Sequence, residues 1–272
     1  PAPLDTLPSR QAWSTLYETR NYAPLWLSEG QASSRADALI EAMRRLPEDG
    51  LHIPATYPAL ARTVGLSILA THPLDEVAAA TLELQLTDAF LEIAGRIYRG
   101  ETAPEEMDAD WHLPRPELDR AQIVADLEAG IALEELLARL RPPYPHYARL
   151  RDRLAHYREQ ARRGGSSSLP PGETLRKGER SDQIRTLRQR LLESGDLLAA
   201  EESTDPDLFG DPLEEAVKRF QSRHGLEADG VVGAHTRAAL AVSAAQRLAQ
   251  IRAVMERWRW VPREQGDRYL LV

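Results

Sequence analysis

The sequence predicts a mainly α-helical protein, and three observations carry that prediction. Ala, Leu, Arg and Glu dominate the composition while β-branched residues are sparse, a balance that favours helix over sheet. Apolar residues recur at spacings of three and four along most of the chain, the signature of one buried helix face. The segments so marked are bounded by Pro, Gly and capping residues. With 272 residues the chain is long enough for about two domains on a prior of ~150 residues each.

The elements follow in order. Trp13, Leu16 and Tyr17 share a helix face, and Asn21-Tyr22-Ala23-Pro24-Leu25-Trp26-Leu27 interrupts it with a proline and an aromatic group. Leu39, Met43 and Leu46 mark a second helix, stopped by Pro47 and Gly50. The longest helix is expected near residues 75–99, with the stripe Leu82, Leu86, Phe90, Ile93 and Ile97 and a stop at Gly100. Pro104, Pro114 and Pro116 make residues 101–119 a loop with a short connector. Ile123, Leu127 and Ile131 begin another helical pattern, Leu133 to Leu140 one more, and Tyr147, Leu150, Leu154 and Tyr157 a last one beyond Arg141-Pro142-Pro143-Tyr144-Pro145. These stretches are expected to form one helical domain over residues 1–161. Gly164-Gly165-Ser166-Ser167-Ser168 and Pro170-Pro171-Gly172 give residues 162–173 the composition of a flexible linker.

A second unit is expected over residues 174–242. Ser181 caps a helix carrying Ile184, Leu187 and Leu191, which Gly195 ends. Asp211 as cap, Pro212 and Glu214 punctuate the next, whose Val217 and Phe220 face inward and which Gly225 closes. Asp229-Gly230 forms a tight turn, and a short third helix follows Gly233. Ser243 and Gln246 then make a capping box for a long linker helix with Leu248, Ile251, Met255 and Trp258 on one face. Arg268-Tyr269-Leu270-Leu271-Val272 reads as a strand without a partner, so residues 243–272 are expected to lead into a further domain.

Several chemistries find no support in the residues. The net charge is −8, without the concentrated basic face that nucleic acid requires. No apolar run approaches the ~18 residues of a membrane helix, and no charged-then-apolar signal segment precedes Pro1. There is no Cys, hence no disulfide, thiolate metal site or Cys nucleophile in these residues. His52, His72, His112, His146, His156, His224 and His235 show no metal-binding spacing, so neither metal nor cofactor is expected. Glu101, Glu105, Glu106, Asp108 and Asp110 lack the alternating ligands of a calcium loop and read as a solvated loop. No catalytic residue stands out. Arg257-Trp258-Arg259-Trp260 could stack on a sugar or pack between domains, and packing is the expectation. Lys218, Arg219, Arg223 and His224 form a basic strip that could meet carboxylates of a ligand or remain a solvated face.

Leu175-Arg176-Lys177-Gly178, then Ala216-Val217-Lys218-Arg219-Phe220-Gln221 with His224-Gly225-Leu226, then Asp229-Gly230-Val231-Val232-Gly233 with Thr236 resemble the three-helix peptidoglycan-binding module of bacterial cell-wall enzymes. Ala234 stands where that family often has proline. The resemblance implies that Phe220, Gly225, Asp229, Gly230, Gly233 and Thr236 build the module's fold, and that peptidoglycan, through glycan or stem peptide, is its partner. The wider arrangement is similar to the large periplasmic L,D-transpeptidases of Gram-negative bacteria. The stretches concerned are Tyr17-Glu18-Thr19-Arg20-Asn21-Tyr22-Ala23-Pro24-Leu25-Trp26-Leu27, Asp49-Gly50-Leu51, Pro142 to Leu150, and Met255-Glu256-Arg257-Trp258-Arg259-Trp260-Val261-Pro262. That resemblance implies periplasmic location and a non-catalytic front part for a catalytic domain that forms 3-3 crosslinks with a Cys nucleophile; none of the family's Ser/Thr-His-Gly-Cys motif is present here. A stand-alone wall-binding adaptor, or the wall-binding region of an amidase or lytic transglycosylase, are the competing expectations.

Overall fold

The computed structural model describes residues 17–18, 20–107, 110–111, 116–163, 169, 171–198 and 205–263. Trp13 and Leu16, Asp108, His112, Pro114, the serines 166–168 and the expected strand at 268–272 lie outside the described residues. Described helices are α1 (Ser34–Arg45), α2 (Tyr57–Leu69), α3 (Glu76–Arg99), α4 (Pro104–Met107), α5 (Arg120–Glu128) and α6 (Leu133–Arg139). They continue with α7 (Pro145–Arg162), α8 (Asp182–Glu193), α9 (Asp211–Arg223), α10 (Ala234–Ala241) and α11 (Ala244–Trp260). The mainly α class therefore holds. Sheet among the described residues is limited to β1 (Leu27–Ser28) paired antiparallel with β2 (Gln31–Ala32) and two isolated bridges. No helix among the described residues is long and apolar enough to cross a membrane.

The chain divides into two compact units: one comprises residues up to Arg151 together with those from Arg252 on, the other Asp152–Ile251. The first unit gathers Trp26, Leu39, Met43, Leu60, Val64 and the α3 stripe Leu82, Leu86, Phe90, Ile93 and Ile97 into one core. Asp75 starts α3 by accepting the Ala78 amide at 2.8 Å, and Gly100, at φ +87°, ends it. The α1 pattern reaches Leu46 but changes character there. Pro47 cannot continue an α-helical ladder, so Leu46–Asp49 tightens into a 3₁₀ turn that Gly50 closes at φ +75°.

Two elements depart from the sequence reading. The hairpin β1–β2 turns through Glu29 and Gly30, both at positive φ, the geometry that lets a two-residue loop follow strand twist. Helix α2 had no visible stripe because it is apolar on several sides. Leu60 and Val64 are buried, whereas Leu66, Ile68 and Leu69 are exposed. Ile131 falls beyond α5, after a turn at Gly130 (φ +88°).

The carboxylate of Glu83 organises the entry to this core. It is buried and accepts the backbone amides of Leu25, Trp26 (3.1 Å) and Leu27 (3.1 Å) and the Tyr17 hydroxyl (2.9 Å). Thr87, one turn further along α3, takes the Trp26 indole N–H at 2.9 Å. Three consecutive amides, running from the irregular segment into the first residue of β1, are thus met by one anion. Burial, followed by the Glu83 charge, pushes the Tyr17 phenol above its usual range.

A second buried polar centre lies at the end of the 3₁₀ turn. Asp49, 2% exposed, accepts Arg141 Nε at 3.0 Å on both oxygens and the Tyr147 hydroxyl at 3.3 Å, with Arg151 Nε 2.9 Å away. Arg259 of α11, 1% exposed, donates to the Asp49 carbonyl and to the Tyr147 hydroxyl (2.7 Å) and pairs with Glu256 at 3.1 Å. Glu256 in turn accepts the amides of Glu101 (2.6 Å) and Thr102 (2.8 Å) just past α3. The last turns of α11 are therefore integral to the first unit. Met255, Arg259 and Trp260 are the buried residues of these turns, and Trp258 packs on Tyr144 and His146 instead. Trp260 meets Trp111 edge-on at 5.5 Å.

Candidate functional site

The second unit is built on α8, α9 and α10 around Ile184, Leu187, Leu191, Leu213, Val217 and Phe220. Leu169, within the stretch of linker composition, is buried in the same core. Ser181 caps α8 through the Gln183 amide at 3.2 Å. At α9 the cap is Gly210, not Asp211. Asp211 is the first helical residue and Pro212 the second, so the carboxylate still faces the positive helix end.

The sequence motif resolves into a bonding pattern centred on Gln221. This side chain is 1% exposed. Its carbonyl accepts the Gly230 amide at 2.9 Å, and its Nε2 faces Asp229 Oδ1 (2.8 Å), the Val231 carbonyl (3.0 Å) and Thr236 Oγ1 (3.1 Å). Asp229 also accepts the Val231 amide at 2.9 Å. That bond, then the one from Gln221, holds its carboxyl below the usual range. Gly230 sits at φ +76°, and a Cβ there would lie 2.8 Å from Glu214 Cγ. Beyond the turn, Val232 pairs with Leu175 through two backbone bonds. Phe220, Gly225, Asp229, Gly230, Gly233 and Thr236 thus lie on or beside one frame: Phe220 in the core, Gly225 ending α9 at φ +67°, Gly233 capping α10 and Thr236 in its first turn.

Replacing Gln221 with Ala strands the Gly230 amide in a buried site, while Thr236 keeps its bond to the Val231 carbonyl at 3.3 Å. An unsatisfied buried polar group costs about 1–3 kcal/mol, so we expect the second unit to lose about 2 kcal/mol, with the first unit unaffected. Hydrogen exchange resolved to each unit measures this; equal protection in wild type and Gln221→Ala would refute it.

The four residues nominated for ligand contact take different positions. Arg223 grips Asp196, itself 6% exposed, through Nε (3.1 Å) and Nη2 (2.5 Å), and Arg219 donates to the Asp196 carbonyl at 2.8 Å. His224 stacks on Phe220 at 4.0 Å and holds the Phe220 carbonyl through Nδ1 at 2.9 Å. Burial pushes its pKa down, so the imidazole favours its neutral form. Lys218 stays near the surface beside Glu215 (2.9 Å) and Glu214 (3.7 Å). Lys177 lies close by, paired with Asp211 and with Glu214 at 3.0 Å. The strip accordingly separates into a clamp on the buried Asp196, made by the exposed Arg219 and Arg223, and a mixed-charge surface at Lys177 and Lys218. Sequence reasoning passed over Gln221 and Asp196, because a helical Gln and a loop Asp look like solvent-facing residues until their partners are known.

Other groups are placed as follows. Glu101 is no free member of an acidic loop, since it bonds His52 Nδ1 at 2.7 Å and Arg96 Nη1 at 3.0 Å. Among the described residues no three His, Asp or Glu side chains come together as metal ligands.

Fold and bonding define the class: a helical scaffold combined with a compact three-helix module whose turn is locked by a buried glutamine. Residues 11–154 match the scaffold domain family, and the chain belongs to it. Residues 180–240 match the peptidoglycan binding domain family. No curated protein matches the chain. The peptidoglycan-binding domain supports peptidoglycan as partner and points to an extracytoplasmic, cell-wall-associated setting.

Proposed function

We propose that this chain is the scaffold and peptidoglycan-binding portion of a periplasmic L,D-transpeptidase. In this reading residues 174–242 engage the wall, while the helical domain supports a separate Cys-dependent catalytic domain that forms 3-3 crosslinks. The observation that carries the reading is the succession of a scaffold domain and a peptidoglycan-binding domain in one polypeptide. The resemblance of Met255 to Pro262 to the lead into a catalytic domain supports it further. Lys218, half-buried and paired with the carboxylates of Glu214 and Glu215 near the surface, is the nominated contact not engaged with Asp196 or Phe220 and so the one best placed to meet a wall carboxylate. Arg219, Arg223 and His224 act in this reading by holding α9 and the Asp196 loop in place.

The test is the intact mass of the protein from its source cells, with and without thiol alkylation, paired with cosedimentation of the 272-residue chain with purified sacculi. We expect a mass above 30.4 kDa, an alkylation adduct, and retention of the chain on sacculi. Retention with a mass of 30.4 kDa and no adduct would replace this reading with a stand-alone wall adaptor. No retention would remove the wall-binding role.

A further inference from the structure

Helix α2 carries a second face that its own unit leaves bare. Leu60, Val64 and Ser67 are buried in the core of the first unit. Arg62, Gly65, Leu66 and Leu69 follow one another at i, i+3, i+4 and i+7, the spacing of a single helix face. Leu66 is 61% exposed and Leu69 82%, and Val77, in the first turn of α3, adds a third aliphatic side chain at 77%. Single exposed apolar residues are ordinary, whereas a face of them marks an interaction surface. Gly65 is a further sign. A Cβ there would meet nothing within 4 Å, so the packing of this chain does not require a glycine, and a mid-helix glycine is destabilising relative to alanine. What the missing side chain allows is the close approach of another backbone.

The two ends of the face carry opposite charge. Arg62 stands toward its N-terminal end, and Glu76 opens α3 just beyond its C-terminal end. Both are exposed, and neither makes a hydrogen bond or ion pair among the described residues. The last turn of α2 holds no basic residue, so its carbonyls leave the negative end of the helix dipole uncompensated.

We propose that two copies of this chain pair through α2, antiparallel about a two-fold axis beside Leu66. Leu66 then packs on Leu66 of the partner subunit, and Leu69 and Val77 close the flanks. Arg62 faces Glu76 of the partner subunit and the end of that subunit's α2, and the symmetry makes the same contact twice. A parallel pair would instead set Arg62 against Arg62 of the partner subunit. Cation, apolar centre and anion all lie in one face, which is the self-complementarity a two-fold interface needs. The face is small, so the interface belongs among those below about 1,200 Å² and the pairing in the micromolar range. The pairing does not depend on the wall-associated reading. Where that reading holds, a pair presents two peptidoglycan-binding domains and engages the wall bivalently.

The experiment is sedimentation equilibrium of the full chain from about 1 to 200 µM, a range that brackets micromolar pairing. We expect the mean mass to rise from 30.4 kDa toward twice that value. Leu66→Glu should weaken association about a hundredfold or more by placing a charge at the centre of the contact. Its thermal melt should be unchanged, because the side chain is exposed in the single chain. Arg62→Glu and Glu76→Arg should each weaken association about tenfold, and the two combined should restore it, a recovery that non-specific adhesion cannot produce. A mass of 30.4 kDa throughout overturns the proposal and leaves the face to a different protein. Association unmoved by Leu66→Glu overturns it by taking the contact off α2. Failure of the combined charge variant to recover overturns it by removing the antiparallel pairing.

Discussion

Replacing Glu83 with Ala is expected to destabilise the first unit by about 4 kcal/mol, since it strands three buried amide donors at about 1–3 kcal/mol each with partial relaxation. The donors are those of Leu25, Trp26 and Leu27, which have no alternative acceptor in a helix or sheet ladder. Tyr17 loses its bond to the carboxylate as well, although Thr87 Oγ1, 2.7 Å away, remains. Glu83→Gln preserves shape and one carbonyl but turns an amide N–H₂ toward backbone donors, so it should recover only part of the loss. Urea unfolding followed by circular dichroism reads both. A cost below about 1 kcal/mol for the alanine variant, the scale of an ordinary surface change, would show that the Glu83 bonds do not hold this segment.

The second large effect is expected at Asp49. Its removal takes the shared carboxylate from Arg141 and Arg151, while the fully buried Arg259 keeps the residue-49 carbonyl, the Tyr147 hydroxyl and Glu256. Deleting one partner of a buried ionic cluster typically costs about 3–5 kcal/mol, because the remaining charge is desolvated and uncompensated. Burial raises the Tyr147 phenol above its usual range, so the hydroxyl keeps its proton and donates to Asp49 while accepting from Arg259. We therefore expect Asp49→Ala to lower stability by about 4 kcal/mol, and Arg259→Leu by less, since an apolar side chain of similar reach removes a buried cation instead of orphaning one. Equal losses for the two would contradict this division. The effect should persist in high salt, because buried pairs are screened far less than exposed ones.

The same residues explain what could be read from the sequence. The stripe of α3 was legible because five apolar residues over four turns leave no competing period. The caps at Ser181 and Ser243 were legible because their chemistry is local. Glu83 was not: it stands beside Leu82 in an amphipathic pattern, and a Glu reads as solvent-facing unless its distant amide partners are known. Arg259 was hidden in the same way, and Trp258 took the place in the expected stripe that Arg259 occupies in the structure. In the module, the motif residues were visible, but the reason for them, a single Gln221 bridging turn and helix, depends on contacts across the fold. Helix α2 was hidden for a related cause: its segment offered no single apolar face, with Leu60 and Val64 buried and Leu66, Ile68 and Leu69 exposed.

The return of α11 to the first unit has a consequence for how the protein is made. About 100 residues separate Arg151 from Arg252, and at ~5–20 residues per second that stretch occupies the ribosome for roughly 5–20 s. Throughout that interval the nascent first unit holds the Asp49 carboxylate and Arg141 but lacks Arg259 and Glu256, and the Glu101 and Thr102 amides wait without their acceptor. The inserted module therefore has time to fold before its host is complete. A chaperone or protease that surveys nascent chains would meet a finished module attached to a half-closed scaffold.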